Sequence, residues 1–243
     1  MVNGGWLALG GVALASALAV LSNESRAPSW DRLSLLRGGV LLTPDGPLRM
    51  DKIGQGAFAT VYREAIGEPD RMAPGRVIAV VAEGVWDKQI AADAHKLLPD
   101  NPHLPAVERL GTLTDGRTVY AMPFYQTPYR STLAHPRDRA SFRAIEACAG
   151  SLAPRRGESG FDAMNRGIAC MESAKVDPQI VEAVEVLVAL SPEYSDQYDM
   201  EFSPRNAATD AQGNLILLDL LFDRRAVRRK RVEKLKRQRE RAW

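Results

Sequence analysis

Two polar residues near the C-terminal end of the chain, Asn206 and Asp219, have the types and the spacing of a magnesium site. Asp219 follows Asn206 by thirteen residues and comes directly after the aliphatic run 215–218. A Gly-Asn turn followed by a short aliphatic run predicts a buried strand, which would carry Asp219 out at its end, beside Asn206. Mg²⁺ prefers oxygen ligands and commonly takes one or two side chains together with phosphate oxygens. The pair therefore predicts a site for Mg²⁺ and a phosphate-bearing ligand.

A glycine-rich stretch lies about 150 residues upstream, at residues 54–62, with the sequence GQGAFATVY. The β-branched and aromatic residues resume immediately after the glycines, which predicts a strand, a glycine turn and a second strand. Rossmann and Walker loops are thereby excluded, because their glycines open a helix. Glycines allow a backbone to lie close over phosphates and to point its N–H groups at them.

In this order, the two motifs resemble those of the protein-kinase superfamily, whose glycine-rich loop reads G-x-G-x-F-G-x-V. The catalytic and metal-binding loops of that family read His-Arg-Asp, four residues, Asn, a strand and Asp-Phe-Gly. Asn206 and Asp219 fit both spacings without a gap. The resemblance covers about residues 48–223 and implies ATP and Mg²⁺ as cofactors, with Asn206 and Asp219 as the metal ligands. The nucleotide-binding residues that it implies are Gly54, Gln55, Gly56, Ala57, Phe58, Val61 and Ala79.

The catalytic acid of the family is altered in this chain. Glu201 stands where the catalytic Asp belongs, and Asp199 is the alternative if the loop bulges by two residues. Glu201 keeps the carboxylate but is one methylene longer, and a misplacement of about 1 Å can cost on the order of 10²-fold in rate. The resemblance also assigns a catalytic-loop role to Asn206.

The phosphate-gripping lysine of the family is missing from its usual place. In the predicted third strand, residues 76–81, Ala79 matches the family pattern but Val81 replaces the lysine. Lys88 lies beyond that strand and is at best a substitute from elsewhere. These departures favour a pseudokinase, a tethered regulatory binding module that takes up Mg-nucleotide. The alternative is an active minimal phosphotransferase of the serine/threonine type, using Glu201 or Asp199 with Asn206 and Asp219, and resembling small kinase-like proteins of bacteriophages.

The fold class implied by the resemblance is α+β, with a two-lobed protein-kinase-like fold. We expect a small β-rich N-lobe at residues 47–127 and a mainly helical, truncated C-lobe at 128–223. Apolar spacing predicts helices at 87–98 and at 178–190, where a proline stands at the start of the second helix. An acid at position 93 is expected to be solvated, since no lysine partner is evident.

The N-terminal segment 1–22 contains no charged side chain and is long enough, as a helix, to span about 30 Å of hydrocarbon. We expect a hydrophobic helix over residues 1–25 and a linker, or a short strand pair, over 26–46. A membrane anchor, a signal peptide and a helix packed on the domain all remain open. As an anchor, followed by basic residues, it would place the body on the cytoplasmic face of a membrane. A cytoplasmic or virion-associated protein is the alternative.

The C-terminal segment 224–243 carries eleven Lys/Arg and two Glu, a net charge of +9, while the whole chain carries only +2. Its helix propensity is high and its apolar stripe is thin, which predicts a basic helical tail. Such a tail binds anionic lipid or the phosphates of nucleic acid, or it is a solvated helix packed loosely on the body. The sequence does not choose among these partners.

The composition, with 45% hydrophobic and 26% charged residues, is that of a globular protein with a sizeable core and excludes wholesale disorder. The two cysteines, Cys148 and Cys170, have no metal-ligand spacing. We expect them to be buried thiols of a protein in a reducing compartment.

Overall fold

The computed structural model of the chain describes residues 30–65, 76–126, 135–148, 155, 157–193, 198–202 and 206–240. The expected hydrophobic helix 1–25 lies outside these residues and stays a prediction. The boundary expected between residues 127 and 128 also falls outside them. Within the described part, every helix is too short or too polar to cross a membrane.

Seven strands close into a barrel in the order β1-β2-β3-β4-β5-β7-β6. Neighbours pair antiparallel, except that β1 closes the barrel by pairing parallel with β6. The strands are β1 (Trp30–Leu36), β2 (Val40–Thr43), β3 (Gly46–Gln55), β4 (Ala59–Glu64), β5 (Arg76–Val81), β6 (Glu108–Leu113) and β7 (Thr118–Pro123).

Strand β5 is buried on both of its faces, which explains its uninterrupted aliphatic sequence. Successive side chains of a strand point to opposite faces. Ile78 and Val80 accordingly join the core inside the barrel, together with Leu33, Leu41 and Val119. Val77, Ala79 and Val81 point the other way, into the core shared with the helices. The strand thus divides the two cores, and Ala79 faces the helical side.

The rest of the described chain forms five α-helices and two small sheets. The helices are α1 (Asp87–Leu97), α2 (Pro136–Cys148), α3 (Gly160–Ser173), α4 (Pro178–Leu190) and α5 (Arg224–Glu240), with a 3₁₀ turn at Ser191–Glu193. β8 (Tyr198–Met200) pairs with β11 (Leu221–Asp223), and β9 (Ala207–Thr209) pairs with β10 (Leu215–Leu217). The central helix α4 is capped by the Asp177 carboxylate, which accepts from the backbone N–H of Gln179 at 3.0 Å.

The overall α+β character agrees with expectation, but the expected two-lobed protein-kinase-like architecture is wrong. Seven strands close into a barrel, instead of forming a small β-rich lobe set against a mainly helical one. β1 and β2 come from the segment 26–46, which therefore contributes a strand pair rather than a free linker. The physical reason is long-range: the parallel register of β1 with β6 joins segments about 80 residues apart, and no local pattern reveals it.

The predictions of single strands and helices were more accurate than the prediction of the overall architecture. The expected strand 76–81 and helix 178–190 match β5 and α4 at both ends. The solvated acid expected at position 93 is wrong, because Asp93 is buried and accepts hydrogen bonds from Gln89 Nε2 at 3.1 and 3.2 Å. The helix supplies this partner one turn earlier, at a spacing that brings the two side chains together.

The expectation of free thiols is also wrong, because Cys148 and Cys170 form a disulfide with a Cα–Cα distance of 5.9 Å. The bond joins the last residue of α2 to α3. The packing of these two helices brings the cysteines together across 22 positions, and spacing in the sequence carries no trace of that contact.

Candidate functional site

A cavity of about 780 Å³ lies between the β3–β4 hairpin, the outer face of β5 and the segment that carries Asn206 and Asp219. It brings together residues from segments more than 150 positions apart. The expected site residues that line it are Gly54, Gly56, Ala57, Phe58, Val61, Ala79, Glu201, Asn206 and Asp219. Gln55 and Asp199 are not among its lining residues.

The glycine turn closes one side of the cavity as a tight hairpin, in which the Gly56 N–H donates to the carbonyl of Ala59 at 2.8 Å. Neither Gly54 nor Gly56 has a positive φ. A Cβ at Gly54 would meet its nearest neighbour at 3.9 Å, and a Cβ at Gly56 at 3.7 Å, both ordinary contacts. The fold therefore does not require glycine at either position. What the missing side chains leave is open space at the cavity wall.

The β9–β10 ladder places Asn206 beside Leu218, the residue directly before Asp219, and both Asn206 and Asp219 line the cavity. Ala207 pairs with Leu217, and the next rung is a hydrogen bond from the Leu218 N–H to the Asn206 carbonyl at 2.9 Å. The Asn206 side chain donates from Nδ2 to the Glu201 carbonyl at 3.3 Å. Its amide nitrogen is thus engaged, and the side-chain oxygen is the atom suited to a cation.

Lys88, from the first turn of α1, reaches into this site. Its ammonium donates to Oδ1 of Asp219 and to the carbonyl oxygen of Leu218, the latter at 3.1 Å. Only 7% of Lys88 is exposed, whereas about half of the Asp219 side chain is. Burial alone would lower the pKa of Lys88, but the charges of Asp219 and Asp87 raise it above its ordinary value. The cavity therefore contains a buried lysine, Lys88, which the sequence offered only as a substitute from elsewhere for the residue at Val81.

Asp87, the first residue of α1, is a lining residue that sequence reasoning missed. Its Oδ1 atom is inaccessible to solvent and has no hydrogen-bond partner among the described residues. Burial raises the pKa of this carboxyl to about 6, the nearby charge of Asp219 adds to the increase, and Lys88 opposes it. The one signal in the sequence is the position directly before Lys88 at a helix start, where acids are common.

The two candidate acids are placed differently. Glu201 lines the cavity and is fixed through its backbone N–H, which donates to the carbonyl of Leu220 at 2.8 Å. Asp199 lies on β8, where its carboxylate is 3.1 Å from Nε of Arg224 in an ion pair. Burial raises the pKa of Asp199 and the charge of Arg224 opposes that increase. The structure therefore groups Glu201, and not Asp199, with Asn206 and Asp219.

The opposite wall of the cavity is apolar. It consists of the helix-facing side of β5, with Val77 and Ala79, together with Met122, Phe124 and Tyr125 at the end of β7. The Tyr125 hydroxyl accepts from the Ala106 N–H at 2.8 Å, which fixes its ring. An apolar wall facing a cluster of polar and charged groups is the usual form of a small-molecule site.

The basic helix α5 also borders the cavity, which the sequence did not indicate. Ala226 and Val227 line it, and the Lys230 ammonium lies 4.8 Å from the centre of the Phe58 ring in the glycine turn. The first turn of α5 is capped by Asp223 Oδ1, which accepts from the backbone N–H of Arg225 at 2.6 Å. The basic tail is thus joined to the site rather than being a separate appendage.

No group of three or more His, Cys, Asp or Glu side chains suited to a metal occurs in the described part of the chain. The expected pair, Asn206 and Asp219, lines the cavity and would be the residues to hold Mg²⁺ through their side-chain oxygens. Because two protein ligands leave an octahedral ion mostly open, phosphate oxygens and water would complete its coordination. The ammonium of Lys88 already neutralises one oxygen of Asp219, so a metal would share this carboxylate with it.

Comparison with known proteins does not assign this chain to a family. No protein-family model matches the chain, and no curated protein does. Among solved structures, the chain is similar to a vaccinia related kinase 3, at 12% identity and a TM-score of 0.35. The match covers 86% of this chain and 57% of the kinase chain, so this chain spans little more than half of that protein. A similarity this weak supports no conclusion about function.

Proposed function

We propose that this chain is a nucleotide-binding regulatory module whose site is a degraded form of the protein-kinase site. The observation that carries the proposal is the convergence of Lys88, Asp219 and Asn206 beneath a glycine turn that the fold does not require to be glycine. An ammonium group, a metal-type oxygen pair and a close backbone approach together suit a polyphosphate.

The proposed ligand is ATP, and its proposed orientation follows from the apolar and the charged walls of the cavity. The base lies against the apolar wall formed by Ala79, Met122 and Phe124. The phosphates lie beneath the glycine turn, where Lys88 supplies positive charge. Mg²⁺ binds the side-chain oxygens of Asn206 and Asp219 together with phosphate oxygens.

The altered catalytic acid favours a regulatory function over catalysis of phosphoryl transfer. Phosphoryl transfer depends on positioned groups and charge neutralisation rather than on covalent chemistry. Glu201, which lines the cavity whereas the alternative catalytic acid Asp199 does not, extends one methylene further than the aspartate of the kinase pattern. We therefore propose that nucleotide binding changes the conformation of the chain and that a partner recognises the nucleotide-bound form.

The test is nucleotide binding by the full chain with and without Mg²⁺, followed by a phosphate-transfer assay on the same samples. We expect Mg-ATP to raise the melting temperature of the wild type. The apparent affinity for Mg-ATP should fall at least tenfold in Asp219→Ala. Neither added protein substrates nor the chain itself should receive the γ-phosphate. Asp115→Ala, at an exposed turn outside the cavity, is the matched control and keeps wild-type binding. Absence of any nucleotide binding would exclude this function.

An active minimal phosphotransferase is the second candidate, and the observation that favours it is the recovery of a buried lysine at the metal-type carboxylate. It requires that Glu201→Gln and Asp219→Asn each abolish transfer while leaving folding intact. Asp199→Asn separates the two acids: we expect it to leave activity unchanged, because Asp199 is paired with Arg224 outside the cavity. Robust transfer with this pattern would replace the regulatory function.

The cellular placement is a separate proposal. The uncharged segment 1–22 supports a tether that holds the body at the cytoplasmic face of a membrane. Carbonate extraction of the full-length protein tests it, because an anchored chain remains in the membrane pellet and a peripheral one is released.

A further inference from the structure

Helix α5 presents two different faces, and its inner face is fixed to the body. Ala226 is buried, and Lys230, one turn later, lies over the Phe58 ring. At the helix start, Arg224 pairs with Asp199 at 3.1 Å. Residues four apart lie on the same side of a helix, so Ala226 and Lys230 define the side that is turned toward the cavity.

The opposite face carries exposed aliphatic side chains between cations. Val232 is 59% exposed and Leu235 is 52% exposed, the two highest values among the exposed large hydrophobic residues of the described chain. At helical spacing they share a face with the exposed cations Arg228 and Lys236. Nothing in the described chain covers this face.

We propose that the outer face of α5 binds an anionic lipid surface, with Val232 and Leu235 entering the headgroup region and the flanking cations contacting lipid phosphates. Interfacial helices combine apolar residues with Lys and Arg in this way. Sequence-independent binding of nucleic acid comes from the attraction between cations and phosphates, and exposed aliphatic side chains are not part of that attraction. The two aliphatic residues therefore favour lipid over nucleic acid, which shares the same charge complementarity.

This inference goes beyond nucleotide binding and does not depend on it. It does place the lipid-binding helix against the glycine turn, through Lys230 and Phe58. An anionic surface would thus hold the cavity close to the membrane, whichever ligand the cavity takes.

The experiment uses the full chain and vesicles of phosphatidylcholine, with and without phosphatidylserine. Because the segment 1–22 could attach the chain to both kinds of vesicle, binding is compared between them, and the rate of trypsin cleavage within α5 is measured on the bound protein. We expect tighter binding to the anionic vesicles and at least tenfold slower cleavage there than on neutral vesicles. Equal binding and equal cleavage on both would overturn the proposal.

The deciding variant is Val232→Ser with Leu235→Ser, which keeps every charge of the tail. We expect it to lose about tenfold of the preference for anionic vesicles, because the apolar contribution is removed. The matched control is Leu36→Ser with Leu42→Ser, two exposed aliphatic residues of the barrel strands, which should leave the preference unchanged. Both variants are checked by thermal unfolding.

Binding of a duplex RNA, measured at the same ionic strength, tests nucleic acid as the alternative partner of α5. If RNA binds as tightly as anionic vesicles, and the serine variant of α5 keeps its vesicle binding, the helix is a general polyanion site and the lipid assignment is wrong. If the serine variant loses vesicle protection while wild-type nucleotide binding is retained, the proposal stands independently of the cavity.

Discussion

The ammonium of Lys88 contacts the carboxylate of Asp219, 131 positions later in the chain, and also donates a hydrogen bond to the Leu218 carbonyl oxygen at 3.1 Å. The pair links the first turn of α1 to the end of β10, on one edge of the cavity. Lys88 is nearly inaccessible, whereas Asp219 is open to a ligand. A fixed cation therefore stands beside the carboxylate that would bind a metal, and this arrangement determines how the site should respond to Mg²⁺.

Lys88→Met should make nucleotide binding weaker and more dependent on Mg²⁺. The ammonium and the metal both neutralise the negative charge of Asp219 and of the phosphates. When the ammonium is lost, nucleotide binding therefore depends more strongly on the metal. Hydrogen bonds to charged groups contribute about 1.5–3 kcal/mol, which corresponds to roughly a tenfold to hundredfold loss of affinity without Mg²⁺. Titration with a fluorescent ATP analogue, with and without the metal, measures it.

The control for this change is Lys96→Met, on the same helix but with a side chain that is 54% exposed. It removes the same charge and should leave the affinity and its metal dependence at wild-type values. An equal Mg²⁺ dependence in Lys88→Met and in the wild type would show that Lys88 does not face the phosphates.

Gly54→Ala and Gly56→Ala should retain the stability of the wild type but bind nucleotide less tightly. Neither glycine has a positive φ, and an added Cβ meets nothing closer than 3.7 Å. We expect changes in the free energy of unfolding within about 1 kcal/mol, and a nucleotide dissociation constant raised by a factor of about 10, because the methyl group occupies the phosphate space.

Gly39→Ala is the contrasting variant. Gly39 has a φ of +78°, and a Cβ there would overlap the Met50 carbonyl oxygen. This change should lower the melting temperature clearly, since the strand pair β2–β3 must shift to admit it. Unfolding curves and nucleotide titrations on the three variants separate a structural glycine from a ligand-facing one; destabilisation in all three would remove the ligand explanation.

Asp87→Asn should change the pH dependence of stability. Burial and the neighbouring Asp219 raise the pKa of Asp87 to about 6 from 3.8, so the folded state favours the protonated form. The stability from this shift is complete below the unfolded value and is lost as the pH rises through about 6. The neutral asparagine avoids that loss. Relative to the wild type, the variant should therefore gain up to about 3 kcal/mol between pH 4 and pH 8.

Denaturant unfolding across this pH range measures the difference. Asp115→Asn is the control of opposite sign, because hydrogen bonds from Arg117 lower the pKa of Asp115. Its contribution is present at neutral pH and is lost as the pH falls. A flat difference between Asp87→Asn and the wild type would mean that the carboxylate is better solvated than its buried oxygen indicates.

Replacing both cysteines, Cys148→Ala with Cys170→Ala, should destabilise the chain without changing the fold. The disulfide closes a loop with a sequence separation of 22, for which chain entropy gives roughly 3 kcal/mol. Denaturant unfolding of the oxidised wild type, the reduced wild type and the double variant tests this. The last two should agree. If reduction leaves the unfolding curve of the wild type unchanged, the bond adds no stability to the α2–α3 pair.

Several elements were readable from local sequence. β5 was evident from its aliphatic run, α4 from apolar spacing and the proline at its start, and the glycine turn from the residues that follow it. Each depends on residues within one element, where side-chain period and backbone preference act directly. Asn206 and Asp219 were readable for the same reason, because only a short hairpin, β9–β10, separates them.

Other features depend on contacts between distant segments. The barrel closes through β1 and β6, Cys148 meets Cys170, and Arg224 draws Asp199 into an ion pair outside the cavity. In each case the partner is chosen by packing of whole elements, and the local sequence is compatible with several partners.

The sequence by itself determined the residue types of the candidate site: two side chains with oxygen atoms at a fixed spacing, a glycine turn, and Val81 where the kinase pattern has a lysine. Only the tertiary structure decided which cation lies beside Asp219. Lys88 and Asp87 enter the cavity because α1 packs against the helix-facing side of the core with Ile90 and Ala94 buried, which turns its first residues toward Asp219. Direction in space is set by packing, and a linear spacing cannot encode it.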